Sequence, residues 1–301
     1  MFTIIIPTLN NLPYLKICIK SINKNSVYKH EIIPHVNIGE DGTIDYLKQN
    51  KIKFTHTEYN SGICKGMNLA AKEAKNDYIL YAHDDFYFCP NWDMILKKEV
   101  EKINHNLFYL SGTMVNNGQI ELDCGNDIEN FNEKKFLTEH KNFNFYDFQG
   151  STWAPHLIHK EIWNKVGGFS EEFYPGTGSD PDLNMKLWQL GVRVFKGIND
   201  FKVYHFGSIV TRKYEGDPKI ITESGSRGGK IFLLKWGISI KFFKKYFLKS
   251  DTRYLGELKR PNKNLDYYLD LFFNKINYYY IKYIYNFKNK HKLVKNEITK
   301  N

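Results

Sequence analysis

Short apolar runs that stop on turn residues alternate with amphipathic stretches through the first hundred residues. This alternation limits the fold more than any other feature. Phe2-Thr3-Ile4-Ile5-Ile6-Pro7 is apolar, β-branched and closed by proline, and Glu31 to Ile38, Lys53 to Thr57 and Tyr78 to Ala82 repeat the theme. Such runs predict buried strands. Between them, Leu15, Cys18, Ile19 and Ile22 share one helical face, Ile44 to Gln49 predicts a short helix, and Met67, Ala70, Ala71 and Ala74 mark a longer one over Gly62 to Lys75. Strands alternating with helices predict an α/β fold, a mostly parallel sheet flanked by helices on both faces. The stretch from Asn104 to Phe148 is rich in Asn and Phe and offers only short strand-like pieces such as Phe108 to Thr113, so an irregular or antiparallel region is expected there. Helices follow over Glu161 to Val166 and Leu183 to Gln189, each stopped by glycine, and then a strand over Val192 to Phe195.

In a parallel sheet, ligands gather at the carboxyl ends of the strands. The residues there are Pro7-Thr8-Leu9-Asn10, Gly39-Glu40-Asp41-Gly42-Thr43 and His83-Asp84-Asp85. The acidic pair Asp84-Asp85 suits a divalent cation such as Mn²⁺ or Mg²⁺ together with a ribose, because hard cations prefer carboxylate and phosphate oxygens. Backbone groups and acids at the first two ends suit a base and its ribose, although ordinary turn chemistry uses the same residues. Gly178-Ser179-Asp180-Pro181-Asp182-Leu183 precedes a helix pattern. One of its acids suits a general base and the other a helix cap, with Asp182, beside Leu183, the better cap. His205, between Tyr204 and Phe206, is a packed core residue unless it meets Asp85 in space, where it would complete a metal site.

These pieces in this order resemble the family 2 glycosyltransferases of the GT-A (Rossmann-like) fold. The resemblance runs from Met1 to about Phe206 on Ile4 to Asn10, Asp41-Gly42-Thr43, Asn60-Ser61-Gly62, Asp84-Asp85, Val166-Gly167-Gly168-Phe169 and Asp180-Pro181-Asp182-Leu183. It implies a metal-dependent, inverting transfer of a sugar from a nucleotide-diphosphate donor, UDP-linked in the usual case. It places Thr8, Asn10 and Asp41 near the base, Asp84 at the ribose, Asp85 on the metal, Asp180 as catalytic base, and His205 on the metal as in some members. The second-strand motif is shortened here to Asn37-Ile38-Gly39-Glu40-Asp41, which leaves Asp41, Glu40 or the Asn37 position for the base contact. His83 replaces what is often an acid, and Ser179 stands where Glu is usual, leaving the base as Asp180 or Asp182. Trp153 lies where such enzymes shape the acceptor site and would either stack on a sugar face or fill the core. Lys65 and Arg212 would approach the diphosphate.

Charge separates the remainder. Residues 216–301 hold 19 Lys and Arg against 7 Asp and Glu, whereas residues 1–215 hold 24 against 26. The expected organisation is a catalytic domain over 1–215, with a nucleotide-binding half (1–103) and an acceptor and catalytic half (104–215), followed by a basic, aromatic-rich helical extension over 216–301. The extension would lie on an anionic membrane, pair with a second copy, or pack on the catalytic domain. The run from Tyr278 to Phe287 is apolar on too many sides for a lone helix and requires a partner. A saccharide or lipid-linked acceptor, in surface polysaccharide or lipooligosaccharide assembly, fits this picture. Nucleic acid is not expected as a partner, since the acidic strand ends would have no role. A sugar-phosphate nucleotidyltransferase is disfavoured because no Gly-rich basic loop follows the first strand. Four scattered cysteines, and no basic leader before that strand, predict a reduced cytoplasmic chain, peripheral on the membrane at most.

Overall fold

The structure is a computed structural model and describes residues 1–125, 127–143, 145–207 and 218–298, with the main chain alone for 218–225 and 285–298. Its ten-stranded sheet has the order β10-β7-β9-β6-β8-β4-β1-β2-β3, with β5 paired to β9. Strands β1 (Thr3–Leu9), β2 (Glu31–Asn37), β3 (Thr55–Thr57) and β4 (Tyr78–Tyr81) are parallel, as the strand–helix alternation predicts. Helices α1 (Leu12–Asn25), α2 (Thr43–Gln49) and α3 (Gly62–Lys72) connect them. Ile4, Ile5 and Ile6 are all fully buried, because neighbouring residues of a central strand face opposite covered sides.

The second half departs from the sequence reading in three places. The stretch from Asn104 to Phe148 contains the long strand β6 (Phe108–Val115), which lies parallel to β9, and a helix α5 (Glu133–Glu139). The strand expected over Val192 to Phe195 is instead the twelve-residue β9 (Val194–His205). Helix α7 (Ser179–Leu190) begins earlier than its apolar pattern, with Gly178 at the cap position and Asp180 and Asp182 inside the first turn. The local apolar pattern missed that turn because Asp182 is held by tertiary partners, Ser170, Trp236 and Lys235, which no local pattern shows.

Of the elements with no counterpart in the sequence reading, three shape the site: β5 (Phe86–Phe88), α4 (Trp92–Ile103) and β8 (His156–His159). Strand β8 runs antiparallel to both β4 and β6 and so joins the two halves. Strand β5 pairs with the far end of β9 in the register Phe86↔His205. Phe86 and Phe88 enter the main core, while Tyr87, Tyr204 and Phe206 enter a second cluster with Phe136. Alternation on paired strands thus fixes the register, since a slip by one residue would swap every side chain between the two cores. Short β7 (Phe148–Gln149) and β10 (Thr252–Arg253) close the edge, and α6 (Lys160–Val166) follows β8.

After residue 217 come α8 (Pro218–Trp236), a short helix α9 (Ile240–Phe242) that continues into a π-helical turn (Phe243–Leu248), and the 34-residue α10 (Leu265–Ile298). Phe232, Phe243, Leu248 and Leu258 belong to the main core, so the first part of the extension packs on the body that carries the sheet.

One glycine shows how tightly α3 is seated. A Cβ on Gly66 would lie 2.3 Å from Cδ2 of His35. That imidazole is buried and hydrogen-bonded to Thr55 at 2.8 Å, so it has no room to retreat. Gly66→Ala is therefore expected to lower stability by about 1–3 kcal/mol, seen as a fall of several degrees in the melting temperature. An unchanged melting temperature would mean that α3 can slide on β2.

Candidate functional site

The ends of β1 and β2 are tied to each other. Asn10, in the left-handed region at φ 44°, accepts hydrogen bonds through Oδ1 from the backbone of Gly39 (3.0 Å) and Glu40 (2.9 Å). Asp41 accepts from the Leu12 backbone (2.7 Å) on one oxygen and from the Thr43 backbone (3.2 Å) and hydroxyl (2.6 Å) on the other. Both side chains therefore build the rim of the pocket. Glu40 is exposed beside them. Asn37 is buried, and its Oδ1 accepts from the Ser61 backbone and hydroxyl, each at 2.8 Å. Pro7 lies in β1 opposite His35, whose pKa burial lowers to about 4. Gly62, at φ +75°, packs against Tyr174 and Pro175, where a Cβ would come within 2.7 Å of the Tyr174 ring. Lys65 is half-buried and donates to the Tyr59 hydroxyl at 2.7 Å. Arg212 lies outside the described residues.

Deeper in, Thr8 Oγ1, Asn11 Nδ2 and Asp84 Oδ2 are buried; Thr8 and Asn11 face Asp84, but none of the three atoms makes a hydrogen bond of good geometry. Leaving such groups unpaired costs free energy, so three together signal a place shaped for a hydroxyl-bearing ligand. Burial raises the Asp84 pKa and the adjacent Asp85 raises it further, against the opposing pull of Thr8 and Asn11.

The β5–β9 pairing delivers His205 to Asp85. The Phe206 backbone donates to the Asp85 carbonyl at 3.2 Å, and His205 Nε2 stands 3.5 Å from Asp85 Oδ2. On the other side of the ring, Nδ1 faces the Asn117 carbonyl at 3.2 Å. With the proton on Nδ1, Nε2 keeps its lone pair directed toward Asp85. His83 completes the group: one ligand atom from each of His83, Asp85 and His205 lies within 4.8 Å of the others. Two imidazoles and a carboxylate at this spacing fit a divalent cation. Burial lowers the His83 pKa to about 4, which favours the neutral, ligating form.

Asp180 and Asp182 have different surroundings. Asp182 is buried and its carboxylate is saturated: Ser170 Oγ donates at 2.6 Å, Trp236 Nε1 at 2.8 Å, and Lys235 Nζ lies at 2.9 Å. It anchors α8 to α7. Asp180 Oδ1 is buried without a hydrogen-bond partner, and His156 Nδ1 lies 3.9 Å from it. Burial raises the Asp180 pKa to about 7. Burial also drives the Tyr81 phenol far upward, and Asp180, Asp85 and Asp84 each add to that push, so all three carboxylates lie near enough to act on one phenol. The Tyr81 hydroxyl is 2.9 Å from His83 Nε2, and its ring lies 5.0 Å from that of His156. Residues nearly a hundred positions apart in the chain thus border a single space.

The wall beside Asp180 is polar and also unsatisfied. Ser111 Oγ, Ser151 Oγ, His156 Nε2 and both amide atoms of Asn184 are buried without partners. Ser111 pairs with His156 across β6–β8 and with Gly197 across β6–β9. Gly197 leaves the surface low, since a Cβ there would come within 3.2 Å of Trp153 and 3.4 Å of Ser151.

The sequence profile described as "Glycosyl transferase family 2" matches residues 3–167. The chain belongs to glycosyltransferase family 2. No curated protein matches it in sequence. Among solved structures it is similar to S. aureus TarS 1-349 in complex with UDP, at 16% identity and a TM-score of 0.51 over 76% of this chain and 69% of that one. It is likewise similar to the same protein in complex with UDP-GlcNAc, at 17% identity and a TM-score of 0.50 over 81% and 74%. At that identity the likeness establishes the fold, a GT-A sheet flanked by helices.

The family match covers the strand ends and Asp84-Asp85 but stops before Asp180 and His205, whose placement rests on this chain's own packing. Several pocket residues of this glycosyltransferase went unread in the sequence. His83 had a signal, since it adjoins the acidic pair, but it was treated as the loss of an acid. His156 and Asn184 had none, because their place depends on β8 and on the first turn of α7. Trp153 sits half-buried at the border of the wall, its Nε1 donating to the Gly112 carbonyl at 2.7 Å.

Proposed function

We propose that the protein transfers a sugar from a UDP-linked donor to a hydroxyl of a saccharide or lipid-linked acceptor, with inversion and with a bound divalent cation, in surface polysaccharide or lipooligosaccharide assembly. The observation that carries this reading is the half-buried Asp180, its inner oxygen unpartnered and its pKa raised to about 7, close to Asp84, Asp85 and two histidines. Residues 1–103 hold the donor and residues 104–215 supply the base and the acceptor wall. Thr8, Asn11 and Asp84 take the donor's ribose, and Asn37 or the Asn10–Asp41 rim takes its base. Family membership and the nucleotides named for the TarS structures favour uridine.

His83, Asp85 and His205 would hold the cation. Their nitrogen-rich set favours Mn²⁺ over Mg²⁺, which prefers an all-oxygen shell. When bound, the cation supplies positive charge against the diphosphate. Asp180 accepts the proton of the acceptor hydroxyl as its oxygen bonds to the anomeric carbon, and the bond from that carbon to the diphosphate oxygen breaks. His156, whose pKa burial lowers to about 3, stays neutral and does not compete for that proton. Ser111, Ser151 and Asn184 offer donors and acceptors for sugar hydroxyls, with Trp153 at their border. The test is a panel of nucleotide sugars with Mn²⁺, read by nucleoside diphosphate release. Turnover confined to UDP-sugars supports the proposal. Pyrophosphate release from a nucleoside triphosphate and a sugar phosphate would replace it with nucleotidyl transfer.

A further inference from the structure

Helix α10 presents two unlike faces. One leans on the body: Tyr267 is buried against the rings of Phe242 and Tyr246, each 5.1 Å away, Asp270 meets Lys245 at 2.7 Å, and Asn274 accepts from the Ser239 backbone at 2.7 Å. The opposite face is apolar and open to solvent. It runs from Leu265 (74% exposed) through Tyr268, Phe272, Phe273 (64%) and Ile276 to Tyr280 (64%). These positions recur at three- and four-residue steps, so they form one stripe, about 22 Å long at the α-helical rise. A stripe of this size is far beyond the scattered exposed apolar residues of an ordinary surface.

Charge and composition decide what covers it. Lys275 and Lys282, seven residues apart, border the stripe on the same side, and both are exposed. Residues 285–301 add Lys288, Lys290, Lys292, Lys295 and Lys300 against the single acid Glu297. Pairing two copies through this stripe would set Lys275 and Lys282 of each copy against Asp266 as the one exposed acid bordering it among the described residues, whereas helix pairs are set by complementary flanking charges. Phenylalanine and tyrosine predominate over leucine and isoleucine, as suits the boundary between lipid headgroups and acyl chains. No helix among the described residues is long and apolar enough to cross a membrane, so the helix would lie along the surface.

We propose that α10 docks the protein on an anionic phospholipid bilayer, its aromatic stripe at the acyl boundary and its lysines against the phosphates. The inference stands apart from the sugar-transfer reading, because it uses no residue of the pocket. The test is sedimentation of the full chain with phosphatidylcholine vesicles, with and without phosphatidylglycerol, at low and raised salt. The wild type should bind the phosphatidylglycerol vesicles, ignore phosphatidylcholine alone, and release as salt rises. Phe272→Ser/Phe273→Ser/Tyr280→Ser should bind about tenfold or more weakly, and so should Lys275→Glu/Lys282→Glu, both with the wild-type melting temperature. A wild type that ignores phosphatidylglycerol vesicles would overturn the proposal, as would unchanged binding by either variant. A stable dimer that the triple variant splits, without vesicle binding, would assign the stripe to a second copy instead.

Discussion

Asp180→Asn is expected to bind donor nucleotide as the wild type does while its transfer rate falls by about 10²–10⁴-fold, the usual contribution of a general base. The substitution keeps the shape and removes the proton acceptor. The wild-type rate should climb with pH through about 7 as Asp180 ionises, because a protonated carboxyl cannot take the acceptor's proton. Burial depresses His156 to about 3 and raises Tyr81, Tyr109 and Cys64, so these do not change charge near neutrality, whereas Asp84, pushed up by burial and by Asp85, shares the limb, and the part of the limb that Asp180→Asn removes is the part Asp180 supplies. Stability should move the other way. An acid whose folded pKa lies above its unfolded one favours folding most when protonated, so its contribution falls as pH rises from about 4 through about 7. Asp180→Asn escapes that loss. It should be the more stable protein at pH 8, by on the order of 2 kcal/mol after allowing for its part-open side chain, with the gap closing toward pH 4. Calorimetry at the two pH values and a single-turnover transfer assay check both halves. Asp182→Asn should show the reverse pattern, losing stability first, since it would leave Lys235 and Trp236 facing an amide.

Asp85→Ala is expected to abolish cation-dependent turnover, a fall of about 10²–10³-fold or more. Its more telling effect is on binding. In the wild type, UDP and Mn²⁺ together should raise the melting temperature by several degrees, since ligands at about a hundred times their dissociation constant add about 2.7 kcal/mol to the folded state. Asp85 is the one carboxylate in the His83–Asp85–His205 group, so its loss leaves two neutral imidazoles with little hold on a hard cation. UDP alone should then shift the melting temperature equally in wild type and variant, and Mn²⁺ should add nothing to the variant. A full Mn²⁺ shift in Asp85→Ala would move the cation elsewhere.

The first hundred residues were legible from sequence because their determinants are local. A buried parallel strand must be apolar on both faces, as Ile4, Ile5 and Ile6 are, and its end must turn on residues such as Asn10 or Gly39-Glu40-Asp41. Every strand and helix through β4 follows from such patterns. The following hundred residues were less legible because their elements are set by partners distant in sequence. Phe86-Tyr87-Phe88 is too short to announce a strand, yet its pairing with β9 brings His205 to Asp85. The condition attached to His205 in the sequence was a meeting with Asp85, and the fold supplies it. The pair Asp180 and Asp182 looked interchangeable in one dimension. Lys235 and Trp236, more than fifty residues onward, distinguish them by occupying one carboxylate and leaving the other to the pocket. The tail showed its charge and its aromatic content in composition, but only the docking of Tyr267 and Asn274 reveals which face of α10 is spent on the body and which is open.

Pulsed electron paramagnetic resonance of Mn²⁺ bound together with UDP tests the central claim most directly, because it reads nitrogen ligands without requiring turnover. Couplings from two histidine nitrogens, falling to one in His205→Ala and to one in His83→Ala, are the expected result. A spectrum with no histidine coupling in the wild type would contradict the assignment of His83, Asp85 and His205 to the cation.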